Sequence, residues 1–134
     1  MIIFRPWRRF RANQDEAVVH RFLEEAGQAS VAAFKKGNRS AKSGQIYKRR
    51  RSAGYYRASS PGEYPAIDTG DLDASISYEV SGNRMDIGSN MFYSKFLREG
   101  TGKMARRKMS DDALQEGVKD ARSFLKGWVE WKRL

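Results

Sequence analysis

Residues 61–76 read PGEYPAIDTGDLDASI, and this stretch decides how the middle of the chain folds. Pro61-Gly62 is a turn dipeptide and Pro65 holds Tyr64 extended, so Ser59 to Ile67 is expected to be a stiff loop. Asp68 or Thr69 is placed to cap a short helical turn through Leu72, because a side-chain oxygen there accepts an orphan backbone N–H. Alternation follows. Ile76, Tyr78 and Val80 fall on one face, and Ser75, Ser77 and Glu79 on the other. Ser81-Gly82-Asn83 supplies a turn, after which Met85 and Ile87 point inward again. The expectation is a β-hairpin with one buried face.

A second block stands downstream, YSKFLREGTGKMARRKM at residues 93–109. Met91, Phe92, Phe96 and Leu97 read as one face of a short helical or mixed segment. It ends at Gly100-Thr101-Gly102, whose glycines mark a turn with unusual dihedrals. The glycine spacing is not that of a Walker loop, and the dinucleotide fingerprint is absent, so the reading is a tight connection into the last helix. Lys103 to Lys108 is basic, and Ser110-Asp111-Asp112 starts a helix with acids at its positive end. Leu114, Val118, Ala121, Leu125 and Trp128 form its packing stripe, which runs to about Trp131 with Phe124 and Trp131 at one edge. Gly117 and Gly127 each weaken that helix by roughly 1 kcal/mol relative to alanine. At Gly117 the missing side chain leaves room for another backbone, the first helix being the natural partner.

Together the two blocks resemble the tail-completion (minor tail component) family of long-tailed bacteriophages. The matching positions in the first are Pro61, Gly62, Glu63, Pro65, Asp68, Thr69, Gly70, Leu72, Ser75 and Ile76. In the second they are Tyr93, Phe96, Leu97, Gly100, Thr101, Met104, Ala105 and Arg106. The chain departs from the family pattern at Arg107-Lys108-Met109, where proline and an apolar residue usually follow the arginine. It departs again at Arg98-Glu99-Gly100-Thr101, where an aromatic usually precedes the glycine. The resemblance covers about half the chain. It implies a structural virion protein of the neck, made and assembled in the cytoplasm of the bacterial host. Such a protein completes the head-proximal end of the tail and mediates head–tail joining, as a homo-oligomeric ring around the DNA channel. The implied partners are head connector or stopper proteins and tail-terminator or tail-tube proteins, with non-specific contact to genomic DNA in the channel.

Upstream, Asn13 to Lys36 is expected to be a long helix. Asn13 and Glu16 have the form of a capping box, Lys35 and Lys36 suit the far end, and Gly37 is placed to terminate it. Val19, Phe22, Ala26, Ala29 and Ala33 repeat at spacings of three and four, flanked by Val18 and Leu23. About 23 residues make a rod of roughly 35 Å. His20 lies beside the stripe without a paired acid or nucleophile and is read as structural. Before the helix, residues 1–12 interleave Phe4, Trp7 and Phe10 with Arg5, Arg8, Arg9 and Arg11. That segment reads as an arm docking on a neighbouring subunit, as an arm on DNA, or as a strand Ile2-Ile3-Phe4 followed by a basic linker. After the helix, residues 37–60 read as an extended basic loop, with Gln45-Ile46-Tyr47 a short strand inside it. The run Lys48, Arg49, Arg50 and Arg51 is suited to phosphates or to an acidic rim on a partner.

The fold class this gives is α+β: two long helices packed on a small antiparallel sheet, with a long basic loop, in a single domain of 134 residues. The net charge of +10 favours nucleic acid or acidic protein surfaces as partners. There is no cysteine, hence no disulfide and no cysteine metal site. No apolar run is long enough to cross a bilayer, and Met1 to Phe4 is too short for a secretory signal. With one histidine, the common hydrolase and zinc arrangements are excluded. Glu63, Asp68, Asp71, Asp73 and Asp86 resemble a magnesium-binding set, but capping explains Asp68 and an exposed turn explains Asp71 and Asp73. No catalytic residue, cofactor or metal is expected. The residues expected to meet partners or DNA are Trp7, Arg8, Arg9, Lys48, Arg49, Arg50, Arg51, Arg107 and Lys108. A reading from another class remains: a free-standing, sequence-independent nucleic-acid-binding protein using Arg8, Arg9, Arg49–Arg51 and Arg106–Lys108.

Overall fold

The computed structural model of the chain describes residues 2–4, 16–82 and 84–133. In chain order these form β1 (Ile2–Phe4), α1 (Glu16–Arg39), β2 (Ile46–Lys48), β3 (Tyr55–Arg57), α2 (Asp71–Ser75), β4 (Ile76–Ser81), β5 (Arg84–Ser89), α3 (Ser94–Glu99) and α4 (Ser110–Arg133). The fold is α+β. β4 and β5 make the hairpin that alternation predicts, with Tyr78 opposite Ile87 and Val80 opposite Met85. Ile76, Met85 and Ile87 are buried, and Tyr78 and Val80 pack half-buried against them, so the face read from alternation is the core face. β1 pairs antiparallel with the other edge of β5, giving the order β1-β5-β4. Of the expected N-terminal arm, Trp7, Arg8 and Arg9 lie outside the described residues, as does Asn13 of the expected capping box.

α1 and α4 both pack on this sheet and lie against each other along their length. Val19, Phe22, Leu23 and Ala26 on α1 meet Ala113, Leu114, Val118 and Ala121 on α4, all buried. Further along α4, the side chains of Leu125, Trp128 and Trp131 lie outside the described residues. Gly117 does admit the first helix: a Cβ there would overlap Ser30 and the Ala26 carbonyl.

The α1 stripe is rotated from the expected one. Ala29 and Ala33 are only half-buried, whereas Ser30 and Phe34 are fully buried. Ser30 belongs to the core because its hydroxyl donates to the Ala26 carbonyl at 2.6 Å, leaving no unmet polar group. Gly37 does not end the helix, which runs on to Arg39. The glycine serves a close approach instead, since the Tyr64 ring lies where its Cβ would be. Phe34 meets the same ring edge-on, with centroids 5.9 Å apart.

The segment 37–60 is not simply an extended loop. It contains a second antiparallel ribbon, β2 with β3, in which Tyr47 lies opposite Tyr56. Three-residue strands leave little alternation to detect, so β3 has no clear sequence signal. An isolated two-stranded ribbon is marginal in water. This one is held to the body by the side chains described below.

Candidate interaction site

The two sequence blocks meet across a cleft of about 420 Å³. Pro65, Asp68, Thr69, Gly70 and Leu72 line one wall; Tyr93, Leu97, Met104 and Arg107 line the other. Tyr56 of β3 and Asn38 near the end of α1 complete it. One backbone bond ties the blocks together, from the Lys108 N–H to the Glu63 carbonyl at 3.0 Å, and within the second block the Arg107 N–H donates to the Leu97 carbonyl at 2.6 Å.

The acids of the first block are occupied in ways the sequence hides. Asp68 is not a helix cap: its carboxylate accepts from the Arg50 guanidinium at 2.6 Å and from the Arg50 N–H at 3.2 Å. The residue preceding α2 is Gly70, in the left-handed region at φ 88° and without a side-chain cap. Thr69 Oγ1 accepts only a long 3.3 Å bond from the Asp71 N–H. Asp73 accepts from Asn38 at 3.1 Å and Arg39 at 3.3 Å, tying α2 to the end of α1. Asp71 pairs with Arg51 at 3.0 Å, and Asp86 with Arg84 at 2.7 Å. Pro61 and Gly62 form an exposed turn, and Glu63 behind them closes the loop. One Glu63 oxygen accepts from the Ser43 hydroxyl at 2.6 Å, the Ser60 N–H at 2.8 Å and the Ser43 N–H at 3.2 Å.

The basic run is therefore largely engaged within the fold. Arg49 donates to the Ile67 and Asp68 carbonyls at 2.8 and 2.9 Å and lies over the Tyr56 ring. Arg50 and Arg51 take Asp68 and Asp71. Of these four, Lys48 alone is exposed without an ion pair among the described residues. The complementarity of Arg49–Arg51 with Asp68 and Asp71 is a signal the sequence does carry, once the two segments are set side by side.

In the second block, Gly100 at φ 80° and Thr101 make the expected tight turn, with the Thr101 N–H donating to the Met104 carbonyl at 2.7 Å. Arg106 bonds the Arg98 carbonyl at 3.1 Å and Asp112 at 2.7 Å. Arg107 bonds the Ser59 hydroxyl at 2.9 Å and carbonyl at 3.1 Å, and the Lys108 ammonium lies 5.7 Å from the centre of the Tyr64 ring. Phe92 and Phe96 do not share a buried face with Met91 and Leu97. They stand exposed, at 83% and 48%, while Met91 and Leu97 pack on the core. A six-residue helix on a crowded cleft wall has only one side to bury. His20 is exposed beside Glu24 on α1, away from the cleft.

No protein-family model, curated protein or solved structure matches the chain.

The cleft is lined by apolar side chains such as Leu72, Leu97 and Met104 together with the charged Arg50, Asp68, Asp73 and Arg107. Among the described residues, no three His, Cys, Asp or Glu side chains are grouped to hold a metal ion, and no helix is long and apolar enough to cross a membrane. Its electrostatics make the loop sensitive to acid. The Ser43 hydroxyl and the Ser60 N–H hold the Glu63 carboxyl below its ordinary value of 4.5. The Arg50 guanidinium holds Asp68 below its ordinary 3.8. The unfolded chain therefore binds these protons first as pH falls. Their stabilisation is complete above those ordinary values and is lost as pH falls through the lowered ones. Thermal melts are expected to show a midpoint that drops below about pH 4.5, with a shallower drop in Glu63→Gln. An identical acid limb in that variant would remove Glu63 from the account.

Proposed function

We propose that the protein is a structural component of the phage neck, completing the head-proximal end of the tail and joining it to the head as a ring around the DNA channel. The observation that carries this reading is the pair of family-like blocks, which stand in order in the sequence and meet across one cleft. Exposed Phe92 and Phe96 beside that cleft supply apolar contact area of the kind that subunit interfaces use. The mechanism is geometric. A rigid body of two helices and a sheet presents fixed surfaces to copies of itself, to a connector or stopper ring above, and to a tail-terminator or tube protein below. The nucleic-acid-binding alternative is weakened because Arg49, Arg50, Arg51 and Arg106 already have partners within the fold.

Electron microscopy of a lysate of the parent phage lacking this gene tests the reading. Full heads and complete tails lying unjoined are expected. Normal joined particles would overturn the proposal. Tight duplex binding at physiological salt, falling steeply as salt rises, would favour the alternative.

A further inference from the structure

The β2–β3 ribbon has a face that the rest of the molecule leaves bare. Its register sets Ile46 opposite Arg57 and Lys48 opposite Tyr55, and cross-strand partners share a face. Tyr47 and Tyr56 occupy the other face, ring centroids 6.2 Å apart, where Tyr56 lines the cleft. On the bare face Ile46 is 58% exposed and Tyr55 69%, with Lys48 and Arg57 exposed beside them. Each cross-strand pair thus sets an apolar side chain against a cation. Arg57 donates to the Gly44 carbonyl at 2.9 Å, which steadies its guanidinium without neutralising it. No Asp or Glu occurs between Arg39 and Gly62. The ribbon is anchored from behind by Arg49, Arg50 and Arg51, so the face is presented on a fixed base.

We infer that this face docks on an acidic protein surface, with Ile46 and Tyr55 entering an apolar depression and Lys48 and Arg57 meeting carboxylates at its rim. Two observations favour protein over nucleic acid. Tracking a phosphate backbone takes several free cations, and the arginine run that would supply them is already paired at the surface with Asp68, Asp71 and two backbone carbonyls. An aliphatic side chain such as Ile46 offers little to a base or a phosphate, whereas apolar centres rimmed by charge are the usual anatomy of protein contacts. The inference concerns this face alone and stands independently of the neck reading.

Fluorescence anisotropy at physiological salt tests it with three labelled probes. One is a short peptide alternating Glu and Leu, one a peptide of equal length and charge alternating Glu and Ser, and one a DNA duplex. The Glu–Leu peptide is expected to bind tightest, about tenfold over Glu–Ser, since a few buried apolar side chains dominate such contacts. Ile46→Ser combined with Tyr55→Ser is expected to erase that preference, and Lys48→Glu with Arg57→Glu to weaken both peptides. All four side chains are exposed. Amide chemical-shift changes in the unsubstituted protein give a second readout that needs no variant, and are expected at residues 46–48 and 55–57. Equal binding of the two peptides, or shifts confined to other elements, would overturn the inference. A duplex that binds tighter than either peptide and is lost in the charge-reversal variant would make the face a nucleic-acid surface instead.

Discussion

Phe34→Ala is expected to destabilise the protein by about 3–5 kcal/mol, the usual range for emptying a fully buried aromatic site. Phe34 is 0% exposed and meets the Tyr64 ring edge-on. Tyr64 is itself buried, with Phe34 and Gly37 against its ring and the Lys108 ammonium over it, and burial pushes its phenol up to about 12. Removing the Phe34 ring therefore opens a void and unseats the residue that fixes the first sequence block on α1. Urea unfolding measures the loss, and near-ultraviolet circular dichroism reports whether Tyr64 stays ordered. A change below about 1 kcal/mol would mean that the site collapses without cost and that Phe34 is not a core anchor.

Gly117→Ala is expected to cost about 2–3 kcal/mol, although alanine is the better helix former by roughly 1 kcal/mol. The added Cβ would lie 2.6 Å from the Ser30 nitrogen and 2.8 Å from the Ala26 carbonyl oxygen, besides overlapping the Ser30 hydroxyl. The hydroxyl can rotate. The backbone of α1 cannot, so α4 has to back away and loosen the contacts of Leu114, Val118 and Ala121. Ser30→Ala in the same chain is expected to recover only part of the loss, because the backbone clash persists. A Gly117→Ala protein as stable as its parent in urea would mean that the two helices do not touch there.

These two positions differ in how far sequence reveals them. Gly117 stands out as a helix-weakening residue inside an apolar stripe, which by itself suggests a close neighbour. Phe34 is passed over because Ala26, Ala29 and Ala33 form a plausible stripe of their own. Only the back-bonded Ser30 shows that the buried line runs 26, 30, 34. The β4–β5 hairpin is legible because one buried face enforces strict alternation. The β2–β3 ribbon is not, since its short strands are set by side chains reaching to residues 63–71. The two blocks are visible as dense runs of turn residues, but the cleft between them is not. Its walls are joined by bonds such as Lys108 to Glu63 and Arg107 to Ser59, whose spacing in the sequence follows no local rule.

The pairing of α1 with α4 also has a consequence in time. Roughly 70 residues separate the end of one helix from the start of the other, so on a ribosome adding about 5–20 residues per second α1 waits some 4–14 s for its partner. Throughout that interval Phe22, Leu23 and Phe34 have no α4 to cover them. The nascent chain thus carries an adhesive helix for seconds at a time, a natural client for the chaperones that meet polypeptides at the exit tunnel.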